Sequence, residues 1–549
     1  MIRRRSVLGA GAGAALAAAA GATLGTAVPA RAEGGEDTAA LGGVTVTAKD
    51  PRYKDLRSGM NQRWAASPEY IVLPRRTADV VAAVHEAVAK GKRITVTSGG
   101  HCFEDFVFNP DVAVILNLSL MNSVTFDRKM QAFCVEAGAA LLDVYEALYS
   151  GWGVVIPAGI CHSVGVGGHV TGGGFGLLSR QHGLVIDHLH AVEVVVVDAQ
   201  GSARSVVATR HPKDPNHDLF WAHAGGGGGN FGVVTKCWFR TPGASGGDPR
   251  GLLPNPPAEV FATNVSWPWS KVTKDGFSKL LAYYAQWLER TNTPGTTRSA
   301  LFPWMLLNHR ESGSMGVIIQ LDATLPGAAQ VLSDYLAGLN DALGVGWSPV
   351  KRAGVVDSEY SVTQRLPWLR ATRWIGSLSP TQTDPTMRGK HKSAHLKKPM
   401  PQAHVDAIYE HLTGVPSPGP YAGVNLSPEG GKIGSVSPTA TAVAQRDSII
   451  KLEFETYWHD QRDDDKNVAW LRKTYSAVYA DTGGVPVPNS VTDGCYINYP
   501  DADLNDPRYN RSTTPWHDLY YKGNYKRLQE VKRAWDPRNV FHHRQSVQP

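Results

Sequence analysis

Along the first part of the chain, hydrophobic residues occur in two patterns: short continuous runs, and positions spaced to fall on one face of a helix. Short apolar runs predict strands at residues 70–74, 93–97, 112–118, 132–137 and 191–198. Valines spaced for one helical face predict a helix over residues 77–90 with Thr77 as its N-cap, and a second helix is predicted over residues 141–150. From about residue 258 to 457, strands and amphipathic helices mix without an internal repeat. This alternation predicts an α/β or α+β fold.

Glycine is concentrated in two stretches, at residues 157–176 and 225–232. So much glycine costs backbone entropy and is retained where the backbone approaches a ligand closely. The alternative is a flexible linker, but a linker does not interleave Val, His and Phe as these stretches do. A shorter glycine turn, Ser98-Gly99-Gly100-His101, follows the strand predicted at 93–97. Backbone N–H groups at such a turn can bind a pyrophosphate.

The N-terminus has the layout of a secretory signal. Arginines 3 to 5 precede a weakly apolar Gly/Ala-rich run that ends at Ala30-Arg31-Ala32. The paired arginines favour twin-arginine export, over a membrane anchor or an ordinary first helix. Cleavage after residue 32 removes four arginines and no acids, so the net charge falls from +6 to 51 − 49 = +2. No other uncharged apolar run reaches about 18 residues, so no further membrane span is predicted.

Composition excludes several classes of protein. Hydrophobic residues are 42% and charged ones 19%, which excludes intrinsic disorder, and so mild a net charge gives no case for nucleic-acid binding. The odd, sparse set of five cysteines indicates neither a disulfide framework nor, without a CxxC, a zinc site. The histidines at 211, 217, 223, 542 and 543 are interpreted as structural or surface residues, and no metal is predicted.

Composition also divides the chain. A stretch rich in Gly, Pro and Asp at residues 243–257 marks a boundary, and the last segment is rich in Tyr, Asn, Asp and Trp. We therefore predict a leader over residues 1–32, a first domain over 33–242, a second domain over 243–488 and a C-terminal segment over 489–549.

Several motifs together resemble one known family. They are Ser98-Gly99-Gly100-His101, Pro157-Ala158-Gly159-Ile160-Cys161, Gly165-Val166-Gly167-Gly168-His169, Gly172-Gly173-Gly174-Phe175-Gly176, Asn498-Tyr499-Pro500-Asp501, Tyr520-Tyr521-Lys522-Gly523-Asn524-Tyr525 and Trp535-Asp536-Pro537. The chain resembles FAD-linked oxidases with a PCMH-type flavin domain, in the berberine-bridge-enzyme-like group, and most of all the actinomycete oxidases that tailor glycosylated antibiotics. The resemblance implies an α+β fold. A two-part FAD-binding domain precedes a substrate domain whose antiparallel sheet is covered by helices, and the C-terminal segment returns to the FAD domain.

The resemblance also implies that FAD is attached twice. His101 would hold the 8α-methyl carbon of the flavin and Cys161 its C6 carbon. The bond to Cys161 would account for the odd number of cysteines. A non-covalent flavin and a single bond at His101 remain the alternatives. The remaining residues expected to contact FAD are Ser98, Gly99, Gly100, Gly165, Gly168, His169, Gly174, Gly228, Gly232, Val234, Asn498 and Tyr499.

Two groups are candidates for the base. In the resembled sugar oxidases a tyrosine at the position of Tyr499 removes the hydroxyl proton, and Tyr496 lies three residues away. Both tyrosines could instead be hydrogen-bonded packing residues. Glu453 aligns with the catalytic glutamate of berberine bridge enzyme, and strand alternation puts Glu455 on the same face. A carboxylate in an apolar flavin pocket would have a raised pKa and could act as the base, although a solvated strand residue is the alternative.

The chain departs from its relatives at two positions of the expected substrate pocket. Many relatives carry tyrosine where this chain has Phe175, and Tyr-Gly-Gly where it has Glu429-Gly430-Gly431. Phe175 has no hydroxyl to donate, which puts a simple two-tyrosine mechanism in doubt. With Glu455, these two residues complete the predicted pocket.

The expected function is a secreted FAD-dependent oxidase. Hydride would pass from an alcohol or hemiacetal of a sugar or glycosylated natural product to flavin N5, with O2 reduced to H2O2. One alternative is oxidative cyclisation or dehydrogenation of a polycyclic metabolite with Glu453 as base, and another is a non-redox flavin scaffold. A nicotinamide dehydrogenase is not supported, because no GxGxxG–acid pair is present. The expected partners are a small-molecule substrate and O2, with no nucleic acid and no membrane; oligomeric state is not predicted.

Overall fold

The computed structural model describes residues 43–349, 363–378, 384–414, 418–419 and 421–549. The leader predicted at residues 1–32 lies outside the described residues. Within the described ranges, no helix combines the length and the apolar character that crossing a membrane requires. The helices there are α1 (Tyr53–Leu56), α2 (Thr77–Ala89), α3 (Leu141–Trp152), α4 (Val166–Thr171), α5 (Ser179–His182), α6 (His217–His223), α7 (Lys274–Arg290), α8 (Thr297–Ala300), α9 (Ala328–Leu343), α10 (Trp368–Gly376), α11 (Gln402–Thr413), α12 (Asp464–Val478), α13 (Trp516–Tyr521) and α14 (Tyr525–Trp535).

The first part of the chain builds two sheets. Strands β1 (Val44–Thr47), β2 (Tyr70–Leu73), β3 (Ile94–Thr97) and β4 (Val114–Asn117) join in the order β1-β2-β4-β3, with β4 parallel to both of its neighbours. Strands β5 (Val124–Asp127), β6 (Ala132–Glu136), β7 (Leu189–Val197), β8 (Ala203–Thr209) and β9 (Val233–Phe239) form an antiparallel sheet in the order β5-β6-β9-β7-β8. Every residue of β4 is buried, as expected for an apolar strand covered on both faces.

The second part builds one larger antiparallel sheet. Its strands are β10 (Glu259–Pro268), β11 (Phe302–Asn308), β12 (Ser314–Asp322), β13 (Ser348–Pro349), β14 (Gln364–Pro367), β15 (Arg388–Leu396), β16 (Ala422–Pro428) and β17 (Ile450–Trp458). They run in the order β13-β10-β12-β11-β16-β17-β15, with β14 also paired to β10. Helices α7, α9, α11 and α12 pack over this sheet and on one another. The predicted α+β fold with a helix-covered antiparallel sheet is confirmed.

One predicted detail of α2 is wrong. The helix begins at Thr77, so Arg76 and not Thr77 is its N-cap. The Thr77 hydroxyl donates a hydrogen bond to the Glu193 carboxylate on β7, at 2.6 Å. Because this tertiary partner holds the side chain, it does not cap the backbone N–H groups of its own helix.

The C-terminal segment packs against the first part of the chain. Lys532, on α14, is buried, and its Nζ donates to the Asn230 carbonyl oxygen at 2.6 Å. The Asn230 side-chain oxygen accepts a hydrogen bond from the backbone N–H of Val547 at 2.8 Å. The last residues therefore fasten the second glycine stretch in place.

Candidate active site

A cavity of about 730 Å³ lies where the first part, the large sheet and the C-terminal segment meet. Its volume is in the range of cofactor and ligand sites. Of the residues predicted to bind FAD, those that line it are Ser98, Gly99, Gly100, His101, Cys161, Gly165, Gly168, His169, Gly228, Gly232, Val234, Asn498 and Tyr499. Tyr496, Phe175, Glu453 and Glu455 line it as well. Residues as far apart in the sequence as Met60 and His543 thus line one cavity.

Two glycine turns interlock at one wall of this cavity. A Cβ on Gly99 would collide with the backbone of Ser163 and Gly165, and a Cβ on Gly165 would collide with Ser98. The Ser98 hydroxyl donates to the Ala137 carbonyl oxygen at 2.5 Å and anchors the first turn. Only glycine permits so close an approach of the two backbones.

This interlock brings the two predicted attachment residues to one wall. His101 Nε2 lies 2.8 Å from the hydroxyl of Ser163, which follows Cys161 by two residues. Burial lowers the pKa of His101 to about 4. The imidazole is therefore neutral at pH 7, with a lone pair available for bonding to an electrophilic carbon. The five cysteines form no disulfides.

The residues present fit FAD. A Cβ on Gly168 would meet no protein atom within 4 Å, and Gly168 lines the cavity. A side chain there would occupy space that a ligand can fill. Asn230, His223 and His543 add polar side chains to the lining near the second glycine stretch. A cavity wall of glycines with scattered polar groups suits a dinucleotide.

The C-terminal motif docks on the first glycine stretch. Asn498 Nδ2 donates to the His169 carbonyl oxygen at 2.9 Å and to the Tyr496 hydroxyl at 3.1 Å. A Cβ on Gly172 would collide with the Asn498 side chain. Gly174 is not part of the cavity lining, but its backbone N–H donates to the Tyr496 hydroxyl. These bonds fix Tyr496 and, through the short connection, Tyr499.

Tyr499 and Glu453 form the reactive pair of the site. The Tyr499 hydroxyl lies near the Glu453 carboxylate, whose side chain is only 13% exposed. Burial raises the pKa of Glu453 to about 7, against the opposing effects of Lys451 and of the Tyr499 hydroxyl. Burial and the Glu453 charge raise the pKa of Tyr499 well above 10. At neutral pH the tyrosine keeps its proton, and the carboxylate is the group able to accept one.

Lys451 lies beneath three aromatic rings of the site. Its Nζ is 2.8 Å from the ring centroid of Phe175, 4.0 Å from that of Tyr496 and 4.8 Å from that of Tyr499. Burial lowers the pKa of Lys451 to about 7, while the charges of Glu429 and Glu453 oppose the shift. Cation–π contact stabilises an ammonium in such a cage. Phe175 supplies a ring here, a role that needs no hydroxyl.

Glu429 lies outside the cavity lining, although it was predicted to belong to the substrate pocket. It is buried, and its carboxylate is 2.8 Å from His395 Nδ1. Its backbone carbonyl oxygen accepts a hydrogen bond from the buried Arg180. Glu429 therefore acts on the site through its charge near Lys451 and not by contact with a substrate.

Several residues of the site are not indicated by the sequence patterns. His391 and Lys451 lie beside Glu453 but outside the cavity lining. His223 and His543, predicted to be structural or surface residues, line the cavity. Strand alternation could have found Lys451, because it precedes Glu453 by two positions on β17. His391 faces Glu455 across the β15–β17 pairing, which no local pattern reveals.

Comparisons with known proteins agree with this geometry. The family model described as an FAD binding domain matches residues 68–206, and the model described as berberine and berberine like matches residues 495–548. The aclacinomycin-N/aclacinomycin-A oxidase of Streptomyces galilaeus is 47% identical over 525 residues, covering 95% of this chain and 93% of that protein. The hexose oxidase of Chondrus crispus is 33% identical over 536 residues, covering 91% and 93%. A crystal structure of the glycopeptide hexose oxidase DBV29 complexed with teicoplanin matches with a TM-score of 0.85 and 44% identity, over 93% of this chain and 99% of that one.

Proposed function

This chain belongs to the berberine-bridge-enzyme-like family of FAD-dependent oxidases, and from that premise we propose that it oxidises an alcohol or hemiacetal carbon of a sugar carried on a larger, glycosylated molecule. The observation that carries the proposal is the placement of the Tyr499 hydroxyl beside the Glu453 carboxylate at the wall of a glycine-lined cavity. That pair can accept the hydroxyl proton that the oxidation releases. The names of the relatives, an aclacinomycin oxidase and two hexose oxidases, support the same chemistry.

The chain supplies the path for the proton. The substrate hydroxyl donates its proton to the Tyr499 oxygen as the Tyr499 proton passes to Glu453. The ammonium of Lys451, beneath the Tyr499 ring, stabilises the negative charge that develops on the phenol oxygen. When bound, FAD supplies the acceptor for the hydride that leaves the substrate carbon and passes the electrons on to O2. Tyr499 is thus a relay to Glu453, which unites the two predicted bases in one mechanism.

We propose that FAD is held by His101 and Cys161. Both residues line the same wall, and the neutral imidazole of His101 is a competent nucleophile. Ser163, which follows Cys161, orients that imidazole through the contact between its hydroxyl and His101 Nε2 at 2.8 Å. Two bonds from two interlocked turns would hold the ring firmly while one face stays open to a large substrate.

The attachment is tested by acid precipitation of the purified holoprotein. The yellow flavin is expected to stay in the pellet. The single variants His101→Ala and Cys161→Ala keep one bond and should also give coloured pellets, whereas the double variant should release its flavin to the supernatant. Cys134→Ala removes a buried thiol that is not part of the cavity lining and serves as the matched control. A colourless pellet from the unsubstituted protein would show that the cofactor is not covalently bound.

The exposed end of the cavity indicates what the sugar is attached to. Trp304, Leu306 and Asn308 alternate along β11 so that all three are half-buried at the cavity wall, and Tyr421 is 46% exposed near them. Aromatic and aliphatic side chains of this kind bind flat apolar groups, as stacked rings gain about 0.5–1.5 kcal/mol beyond area burial. The polar end holds Glu453 and Glu455. This division suits a sugar joined to an apolar aglycone.

The function is tested with free hexoses and with the same hexoses as aryl glycosides. We expect O2 consumption with formation of H2O2, and a higher kcat/KM for the glycosides. Trp304→Ala should raise KM for the glycosides by roughly tenfold, since a lost stacking contact of about 1.4 kcal/mol has that effect, and leave the free hexoses unchanged. Flavin reduction without O2 consumption would favour dehydrogenation, and no flavin reduction by any glycoside or hexose would refute the proposal.

A second candidate is supported by the exposure of Glu453 to the cavity. A carboxylate with a pKa near 7 on the cavity wall could remove a proton from a polycyclic substrate directly, during oxidative cyclisation or dehydrogenation. In that reaction Tyr499→Phe would have little effect and Glu453→Gln would abolish activity. In sugar oxidation both variants are expected to lose activity.

A further inference from the structure

Two carboxylates share one corner of the cavity. Glu453 and Glu455 alternate along β17 and point to the same face, and both line the cavity. Their carboxylate oxygens and a ring nitrogen of His391 all lie within 4.8 Å of one another. Two negative charges so close, in a wall largely shielded from water, strongly disfavour each other. At neutral pH the pair therefore tends to hold one proton between its two members.

The surroundings of the two carboxylates differ in the donors they offer. Glu453 faces His391 Nδ1 at 3.0 Å, the hydroxyl of Tyr499, and the ammonium of Lys451 on its own strand. Each of these groups stabilises a negative charge on Glu453.

Apart from the charge of Glu453, the groups around Glu455 are neutral. Asn425 on β16 donates to its Oε1 at 2.7 Å, and the Tyr457 hydroxyl lies close enough to lower its pKa. Burial, followed by the charge on Glu453, raises the pKa of Glu455 to about 7. The environment thus favours the ionised form at Glu453 and the protonated form at Glu455.

His391 is held as a neutral donor. It is 1% exposed, stacks on Phe103 with ring centroids 3.6 Å apart, and meets the Tyr457 ring at 5.1 Å. Burial lowers its pKa to about 4, although the charges of Glu455 and Glu104 oppose the shift and those of Lys390 and Arg63 support it. A neutral ring donates one hydrogen bond without adding charge, so it orients Glu453 without neutralising the pair.

We propose that Glu455 stores the resting proton of this pair and that His391 directs the negative charge to Glu453, so that Glu453 is ionised and ready to receive the hydroxyl proton through Tyr499. In turnover, Glu453 takes one proton while Glu455 keeps its own, and the pair changes from one negative charge to none. Glu455 and His391 are positioning residues in this scheme. The scheme rests on the proposed role of Glu453 as proton acceptor.

The location of the proton is measured by infrared spectroscopy of the holoprotein, through the carbonyl stretch of a buried protonated carboxyl group. At neutral pH we expect one such band, which is lost in Glu455→Gln and which in Glu453→Gln appears only at a more acidic pH. In Glu453→Gln the neighbouring charge is gone, so Glu455 should titrate at a pH lower by about one unit or more. A band that is kept at neutral pH in Glu455→Gln would overturn the proposal.

The role of His391 is measured by the pH dependence of flavin reduction. His391→Phe preserves the stacking on Phe103 but deletes the hydrogen-bond donor. Because the ionised form of Glu453 then loses a stabilising partner, the acidic limb of the profile is expected to move to higher pH by about one unit. Flavin content per protein shows whether the variant is folded. An unshifted limb in a folded, flavin-loaded variant would contradict the proposal.

The two measurements also separate this proposal from the proposed function. If the infrared result is as expected but no hexose or glycoside reduces the flavin, the shared-proton pair stands and the substrate class is wrong. If substrates are oxidised but the infrared band comes from Glu453, the proposed function is retained and the proposed location of the proton on Glu455 is wrong.

Discussion

Tyr499→Phe is expected to lower the rate of flavin reduction by sugar substrates about 10²–10⁴-fold, the usual effect of losing a positioned acid or base. The variant lacks the oxygen that receives the hydroxyl proton, and Glu453 is left without the donor that connects it to the substrate. The ring contacts with Tyr496 at 5.1 Å and Phe103 at 5.7 Å should survive, because phenylalanine keeps the ring. Anaerobic stopped-flow absorbance of the flavin measures the rate.

Tyr496→Phe is the matched comparison. The Tyr496 hydroxyl is bonded to Asn498 and to the backbone of Gly174, so it is a less available proton acceptor than Tyr499. We expect a much smaller loss of rate in this variant. If both tyrosines can be replaced with a loss below about tenfold, the proton leaves by another path and Glu453 acts on the substrate directly.

Asp501→Ala is expected to destabilise the protein by about 3–5 kcal/mol, as the loss of one partner from a buried ion pair does. The Asp501 carboxylate accepts hydrogen bonds from Lys390 Nζ at 2.8 Å and from Lys392 Nζ at 2.6 Å, and all three side chains are no more than 3% exposed. Glu104 and Asp503 complete the cluster. Without Asp501, the three cations Lys390, Lys392 and Arg472 face only the carboxylates of Glu104 and Asp503. Denaturant unfolding, followed by flavin and tryptophan fluorescence, measures the change.

The control is Asp506→Ala, a few residues further along the same segment. Asp506 pairs with Arg508, whose side chain is 76% exposed, and solvent screens such a pair. Little change in stability is expected. Equal effects of the two substitutions would show that the buried cluster has no special part in holding the C-terminal segment.

This cluster also connects the stability of the fold to the geometry of the site. Glu104 follows His101 by three residues, Lys390 and Lys392 flank His391 on β15, and Asp501 follows Tyr499 by two. Loosening the cluster would therefore displace a predicted flavin attachment, a positioning residue and the proton relay together. Asp501→Ala should reduce activity even under conditions in which the protein remains folded.

Local patterns were sufficient for one class of prediction. Apolar runs located β2, β3, β4, β6 and β7 to within a few residues, because those strands are largely buried and their pattern is continuous. The strands β1, β5, β8 and β9 were not predicted. Alternation placed Glu453 and Glu455 on one face of β17, since the side-chain period of a strand is two. The glycine turns could be read as a ligand-binding wall because close approach of backbones requires glycine wherever it occurs in the chain.

Local sequence patterns could not predict contacts between distant segments. His391 meets Glu453 across 62 positions of the sequence, through strand pairing that tertiary packing decides. Thr77 was expected to cap its helix, but Glu193 on a neighbouring strand holds its side chain instead. Glu429 was expected at the substrate, but His395 and Arg180 hold it behind the cavity lining. In each case the deciding partner comes from another element.

The segments that line the cavity are synthesised at different times. Residues Tyr496 to Pro500 and Phe541 to His543 line the cavity together with His101 and Cys161, which lie in the first third of the chain. Translation delivers the N-terminal part first. A nascent polypeptide on the ribosome therefore carries both candidate attachment residues long before the wall that would enclose a cofactor against them. The complete binding site exists only in the released chain, so loading with flavin belongs to maturation and not to synthesis.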